Sequence, residues 1–151
     1  MMRKDLTQPA IKVWYSSLPE SPKTFWPIIP IRLEHKSFST THPLNALVDS
    51  GASISVLHPF IAEASGFDFK KLGNQKTRGT SASGSYQSWI LPEPVVVDIY
   101  GYSFRLRFTV IDNPKFMWPC ILGEDSIFEF ARLDFQKYKG FFEIRFRSDM
   151  H

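Results

Sequence analysis

Three consecutive residues with chemical potential stand out in this chain: Asp49, Ser50 and Gly51, inside Ala46-Leu47-Val48-Asp49-Ser50-Gly51-Ala52-Ser53. A short apolar run, of the kind that forms one buried strand, delivers a carboxylate into a tight turn. Ser50 can hydrogen-bond neighbouring backbone and lock the turn. Gly51 lets the backbone come close and aim its N–H at the carboxylate, and Ala52 leaves space above it. A carboxylate presented this way can exchange protons with water. Taken alone, the triplet reads more readily as an ordinary turn, because Asp, Ser and Gly are common turn formers.

The other reactive side chains form no competing constellation. His35, His42, His58 and His151 lack metal-ligand spacing, so no metal site and no cofactor is expected. His58 is near Asp49 in sequence, but a Ser–His–Asp triad using Ser50 or Ser53 would need contacts that adjacent strand positions do not readily make. Cys120 is the single cysteine, which excludes an intrachain disulfide and a cysteine-rich zinc site; it reads as a small buried residue. No glycine-rich phosphate loop occurs, and Asn45, Asn74 and Asn113 begin no glycosylation sequon.

The elements that must position Asp49 are mostly strands. Residues 1–24 are polar and marked by Pro9, Pro19 and Pro22, and read as an N-terminal extension with no strong claim to order. Phe25 to Leu33 is β-like, with Pro27 and Pro30 placing it at an edge or bulge. Leu44 to Val48 is a buried strand, Ile54 to Leu57 another, and Pro59 opens a short helix through Ala64. Gly79-Thr80-Ser81-Ala82-Ser83-Gly84 is small and polar. Trp89 to Tyr100 and Ser103 to Ile111 are β-rich and joined in hairpin fashion at Tyr100-Gly101-Tyr102. Cys120-Ile121-Leu122 is a short strand ending at Gly123, and Glu124 to Ala131 has helical spacing. Leu133 to Phe135, a turn at Lys139-Gly140, and Phe141 to Phe146 close the chain. With no internal repeat and no βαβ alternation, the pattern predicts an all-β, barrel-like domain with one or two short helices.

Composition bounds the class. The chain has 151 residues, 43% hydrophobic and 22% charged, enough for one domain with a real core. Net charge is +3, too mild for a polyanion-binding surface. Arg105-Leu106-Arg107-Phe108 and Arg145-Phe146-Arg147 alternate as half-buried strands do, aromatics inward and arginines in water. Neither a nucleic-acid nor a membrane partner is expected, since no apolar run approaches the ~20 residues that span a bilayer. The charged N-terminus has no apolar segment after it, so a cytoplasmic location is the expectation.

The combination of Asp49-Ser50-Gly51 after an apolar strand, a small polar stretch at Gly79 to Ser85, and Ile121-Leu122-Gly123 before a helical segment resembles the retropepsin-like aspartic proteases. That family comprises retroviral and retrotransposon enzymes with cellular and bacterial relatives. The resemblance covers roughly Phe25 to Arg147 and places the protease domain at residues 25–148, followed by a tail at 149–151. Gly123-Glu124-Asp125, a Gly-x-Asp pattern, is closer to the retrotransposon and bacterial branches than to the retroviral one. It implies a single-lobe closed β-barrel that works as a homodimer on polypeptide substrates. It assigns catalysis to Asp49 and loop support to Ser50, Gly51 and Ala52, with the serine bonding across to the partner's loop. It further places a flap at Gly79, Thr80, Ser81, Ala82, Ser83 and Gly84, without the Gly-Gly tip many members carry. Ile121 and Leu122 become an apolar pocket wall, and Gly123 a point of close packing.

Aspartic proteolysis needs two carboxylates around one water, and no second Asp-Ser/Thr-Gly exists in the chain. The second Asp49 would therefore come from a second copy, across a two-fold axis. Two carboxylates ~3 Å apart at an effective dielectric of ~20 repel by about 5–6 kcal/mol, so one keeps a proton while the other is ionised. Phe141, Phe142 and Phe146 suit either an extension of that interface by strand pairing or the filling of each subunit's own core. A second functional reading stands beside the enzyme: the same fold kept as a binding or assembly module with weak or no proteolysis.

Overall fold

The computed structural model describes residues 5–7, 9–68, 76–81, 84–113 and 116–150. Chain order begins with β1 (Ile11–Trp14), β2 (Ser16–Leu18), β3 (Ser21–Trp26), β4 (Ile28–His35), β5 (Phe38–Ser39), β6 (Leu44–Val48) and β7 (Val56–Leu57). The helix α1 (Pro59–Ala64) follows, then β8 (Lys76–Ser81), β9 (Gly84–Ile90), β10 (Val95–Ile99), β11 (Tyr102–Leu106) and β12 (Thr109–Asp112). The chain closes with β13 (Cys120–Leu122), α2 (Ile127–Phe130), β14 (Ala131–Gln136) and β15 (Phe141–Phe146). The all-β architecture with two short helices is as the sequence predicts.

Ten strands make one sheet, in the path β11-β10-β4-β6-β13-β7-β12-β9-β8 with β5 paired to β4. It curls on itself as a half-barrel around a core that includes Ile29, Ile31, Leu33, Val97, Phe108 and Leu122. Strand β4 shows the cause: its burial alternates, with Ile29, Ile31, Leu33 and His35 inward and Pro30, Arg32 and Glu34 outward. Its first half pairs with β6 and its second with β10. Pro30 lies in the half with one neighbour, where a missing N–H costs no ladder bond. Between β10 and β11, Tyr100 and Gly101 both have positive φ (51° and 88°), as a two-residue hairpin turn of primed type requires. Phe108 and Phe146 are fully buried while Arg105 and Arg107 face water, as the alternating runs predict.

Several elements depart from the sequence reading. Trp89 to Tyr100 and Ser103 to Ile111 each break in two, and the breaks face each other through Leu91 N–H donating to the Phe108 carbonyl at 2.9 Å. Pro92 and Pro94, which offer no N–H, cause the first break. The helical spacing of Glu124 to Ala131 yields only the four residues of α2. Asp125 and Ser126 are drawn into tertiary hydrogen bonds, and Ala131 already pairs with Phe146 in the next strand. The segment read as an N-terminal extension contributes β1, which pairs with β15 and buries Val13 in the core. Phe142 and Phe146 are fully buried and Phe141 is 9% exposed, so these phenylalanines fill their own subunit's core.

Candidate active site

Strand β6 carries Asp49 to the centre of the sheet. It lies parallel to β13, pairing Ala46 with Cys120, Leu47 with Ile121 and Val48 with Leu122. The ladder continues one step further, with Asp49 N–H donating to the Leu122 carbonyl at 3.0 Å. On the other side Val48 N–H donates to the Pro27 carbonyl at 2.9 Å, so β4 and β13 clamp the strand that ends in the carboxylate.

Beyond Asp49 the chain turns at once. Gly51 N–H donates to Asp49 Oδ1 at 2.9 Å, and Ala52 N–H donates to the Asp49 carbonyl at 3.2 Å. A Cβ on Gly51 would stand 3.2 Å from Asp49 Oδ1, which explains the residue's size. The carboxylate is half-buried, with Ser50 exposed beside it. The expectation that Ser50 locks the turn is corrected: among the described residues its hydroxyl has no partner within the chain, and backbone and Asp49 bonds close the turn instead.

Gly123 does more than ease the packing of strand on helix. A Cβ there would lie 2.4 Å from the Ala52 carbonyl oxygen and 2.8 Å from that of Ile54, so the Asp49 loop rests directly on this glycine. Sequence reasoning missed the polar pin beside it. Fully buried Ser55 donates to Asp125 Oδ1 at 2.6 Å, accepts from Gly123 N–H at 3.0 Å, and lies 2.8 Å from Ser126 Oγ. Glu124 N–H donates to the Ala52 carbonyl at 2.8 Å, adding a second tie. Asp125, in the Gly-x-Asp pattern, was the available signal.

The remaining expected residues fall as follows. Leu122 is fully buried in the core, a correction to its place in a pocket wall; alternation along β13 leaves Ile121 on the opposite, partly open side. Gly79, Thr80 and Ser81 end β8 and Gly84 begins β9, paired as an antiparallel hairpin up to Ser81 opposite Gly84. Ala82 and Ser83 lie outside the described residues. The hairpin's stem is part of the same sheet, β9 pairing with β12 and β12 with β7 directly after the Asp49 loop. Trp26 and Trp118, unforeseen, meet edge to face at 5.6 Å beside the Pro27–Val48 bond.

The competing nucleophiles are disposed of by geometry. His58 Nδ1 accepts from Phe60 N–H at 3.1 Å and caps α1. His35 is buried with Nδ1 2.7 Å from the Ser65 carbonyl and Nε2 2.7 Å from Glu93 Oε2. Complete burial pushes the Cys120 thiol far above its ordinary range, leaving it without thiolate character. Among the described residues no three His, Cys, Asp or Glu side chains gather as metal ligands. No helix is long and apolar enough to cross a membrane, again among the described residues.

The backbone has solved counterparts. A retropepsin-like aspartic protease from Rickettsia conorii superposes with a TM-score of 0.54 at 16% identity, over 97% of this chain and 98% of that one. The retroviral protease-like domain of Ddi1 from Leishmania major gives 0.53 at 20% identity, over 73% and 82%. The fold is retropepsin-like. No family model and no curated protein matches the chain by sequence, so the retropepsin-like likeness lies in the backbone.

Proposed function

We propose that the chain is an aspartic endopeptidase whose active site is completed by a second copy. The observation that carries this reading is the presentation of Asp49: a half-buried carboxylate at the end of a central strand, held by Gly51 N–H and seated on Gly123, in a retropepsin-like fold. One such carboxylate can accept a proton but cannot at the same time donate one to the scissile carbonyl. Two related by a two-fold axis divide those roles, because their mutual repulsion keeps one protonated. The ionised member takes a proton from water, the protonated member polarises the carbonyl, and water attacks with no covalent intermediate. The Ser50 hydroxyl, without a partner among the described residues, suits a bond to the facing loop. Substrate would run as an extended strand beneath the β8–β9 hairpin, bound through its backbone.

The test is incubation of the purified chain with a mixed peptide library at pH ~4–7, the window in which a shared-proton pair works. Cleavage that is blocked by a statine-type inhibitor and absent in Asp49→Asn, with the circular dichroism spectrum unchanged, is the expected result. A blank across the window, or cleavage retained by the variant, overturns the enzyme; the blank leaves the fold as a binding or assembly module.

A further inference from the structure

The outer face of the half-barrel carries a cleft that the proposed reaction does not use. Strand β4 turns Ile31 and Leu33 into the core and Arg32 and Glu34 to solvent. Beside it β10 sets Asp98 opposite Arg32 and Val96 opposite Glu34, and β11 sets Ser103 opposite Asp98. These residues and Thr40 line a cleft of about 380 Å³. Arg105, in register with Val96 one strand further out, is not part of the lining.

Opposite charges in direct cross-strand register ordinarily pair. Here they are held apart. Arg32 Nη1 donates to the Thr40 and Thr41 carbonyls at 3.4 and 3.3 Å, on the side away from β10. Thr40 is itself fixed, its N–H donating to the Leu33 carbonyl and its Oγ1 accepting from Leu33 N–H, both at 3.1 Å. The Asp98 carboxylate turns to the next hairpin, where Oδ1 accepts from Gly101 N–H and Oδ2 from the Ser103 hydroxyl, both at 3.3 Å. Among the described residues none of Arg32, Asp98 and Glu34 makes an ion pair, and Arg32 keeps Nε and Nη2 free. Cation and anion thus face an opening instead of each other.

We propose that this cleft binds a basic α-amino acid, free lysine or arginine. The α-carboxylate accepts from Arg32 Nε and Nη2, and the α-ammonium donates to Asp98, charge-assisted at both ends. From Arg32 to Glu34 is one step along the outer face, two residues or roughly 6.6 Å, which matches the flexible stem of a lysine. The side chain runs over half-buried Val96, its methylenes covering the aliphatic surface there, and its cation ends on Glu34. One cation and two carboxylates on the protein then meet two cations and one carboxylate on the ligand. A neutral amino acid leaves Glu34 unanswered, and a lysine inside a peptide lacks both α-charges.

The proposal is independent of Asp49 and is read without any cleavage, so its failure leaves the proposed activity untouched. The experiment is titration of the isotopically labelled full chain with L-lysine and L-arginine, followed by amide NMR shifts. Saturable shifts centred on Arg32, Glu34, Val96 and Asp98, with a dissociation constant of about 1 mM or below, are the expected result. Norleucine, Nα-acetyl-lysine and lysinamide, each missing one charge, bind at least ~10-fold more weakly. Glu34→Gln, at an exposed residue without an ion pair among the described residues, weakens lysine by a similar factor and leaves norleucine unchanged. Asp98→Asn, whose amide can retain the Gly101 and Ser103 bonds, weakens both. No saturable shift up to ~20 mM lysine, saturable shifts confined to another face, norleucine binding as tightly as lysine, or undiminished lysine binding by Glu34→Gln each overturns the proposal.

Discussion

At the scale of single residues, Asp49 is held by its surroundings more than by its own strand. Its loop is pressed against Gly123 and pinned by Ser55, whose hydroxyl satisfies both the Gly123 N–H and the Asp125 carboxylate. In Gly123→Ala the new methyl would meet two backbone carbonyls that belong to the loop itself, with no flexible side chain to yield. The expected cost is about 3 kcal/mol, at the upper end for overpacking, read as a lower urea midpoint. Peptide cleavage should fall further than stability does, because the displaced atoms carry the carboxylate. The motif residues Asp49, Gly51 and Gly123 were legible in the sequence only in combination, since each alone is an ordinary turn former. Ser55 was not, since a serine four residues past a turn carries no sign of its distant partners Asp125 and Ser126.

At the scale of elements, β1 and β15 join the two ends of the chain. Val13 is buried, β1 pairs through Ile11–Trp14, and Thr7 N–H donates to the Phe146 carbonyl at 2.8 Å. Val13→Ala should therefore lower stability by about 2 kcal/mol in chemical denaturation, as a core truncation does; a change within error would mean that β1 is not part of the core. The polar, proline-marked composition of residues 1–24 hid this strand, because its one buried side chain is too few for a periodicity. A second tie binds the end of β4 to the β9–β10 connection. The hydrogen bond from His35, and next the charge of Lys36, hold the Glu93 carboxyl below its ordinary value near 4.5. A lowered folded-state pKa stabilises the fold above the unfolded value, and that contribution is lost as pH falls through the folded one. Glu93→Gln should thus flatten the loss of stability below pH ~4.5 without steepening it at neutral pH, measured as urea midpoints across a pH series.

At the scale of the whole molecule, the proposed reaction uses two carboxylates and one chain supplies one. Cleavage rate per chain should drop on dilution and recover on concentration, in step with the dimer fraction measured by sedimentation. A rate per chain unchanged by dilution would show that a single copy suffices and would remove the need for a shared site. The retropepsin-like backbone at 16–20% identity to its solved counterparts shows how little of this arrangement is written in side chains at large. Core positions accept many apolar residues of similar volume, whereas a Cβ at Gly123 would collide with the carbonyls of Ala52 and Ile54.

The amino-acid sequence alone determined the β-rich class, the strand that ends in Asp49, the turn glycines and the helix opened by Pro59. Each depends on residues within a few positions of one another, where periodicity, capping and backbone freedom act. Tertiary structure alone decided that Glu124 to Ala131 spends its helical spacing on a single turn and a strand. It also decided that Leu122 turns inward and that the phenylalanines of β15 serve their own core. Those outcomes follow from pairings between segments tens of residues apart, which compete for the same hydrogen bonds and the same buried space only once the chain has closed on itself.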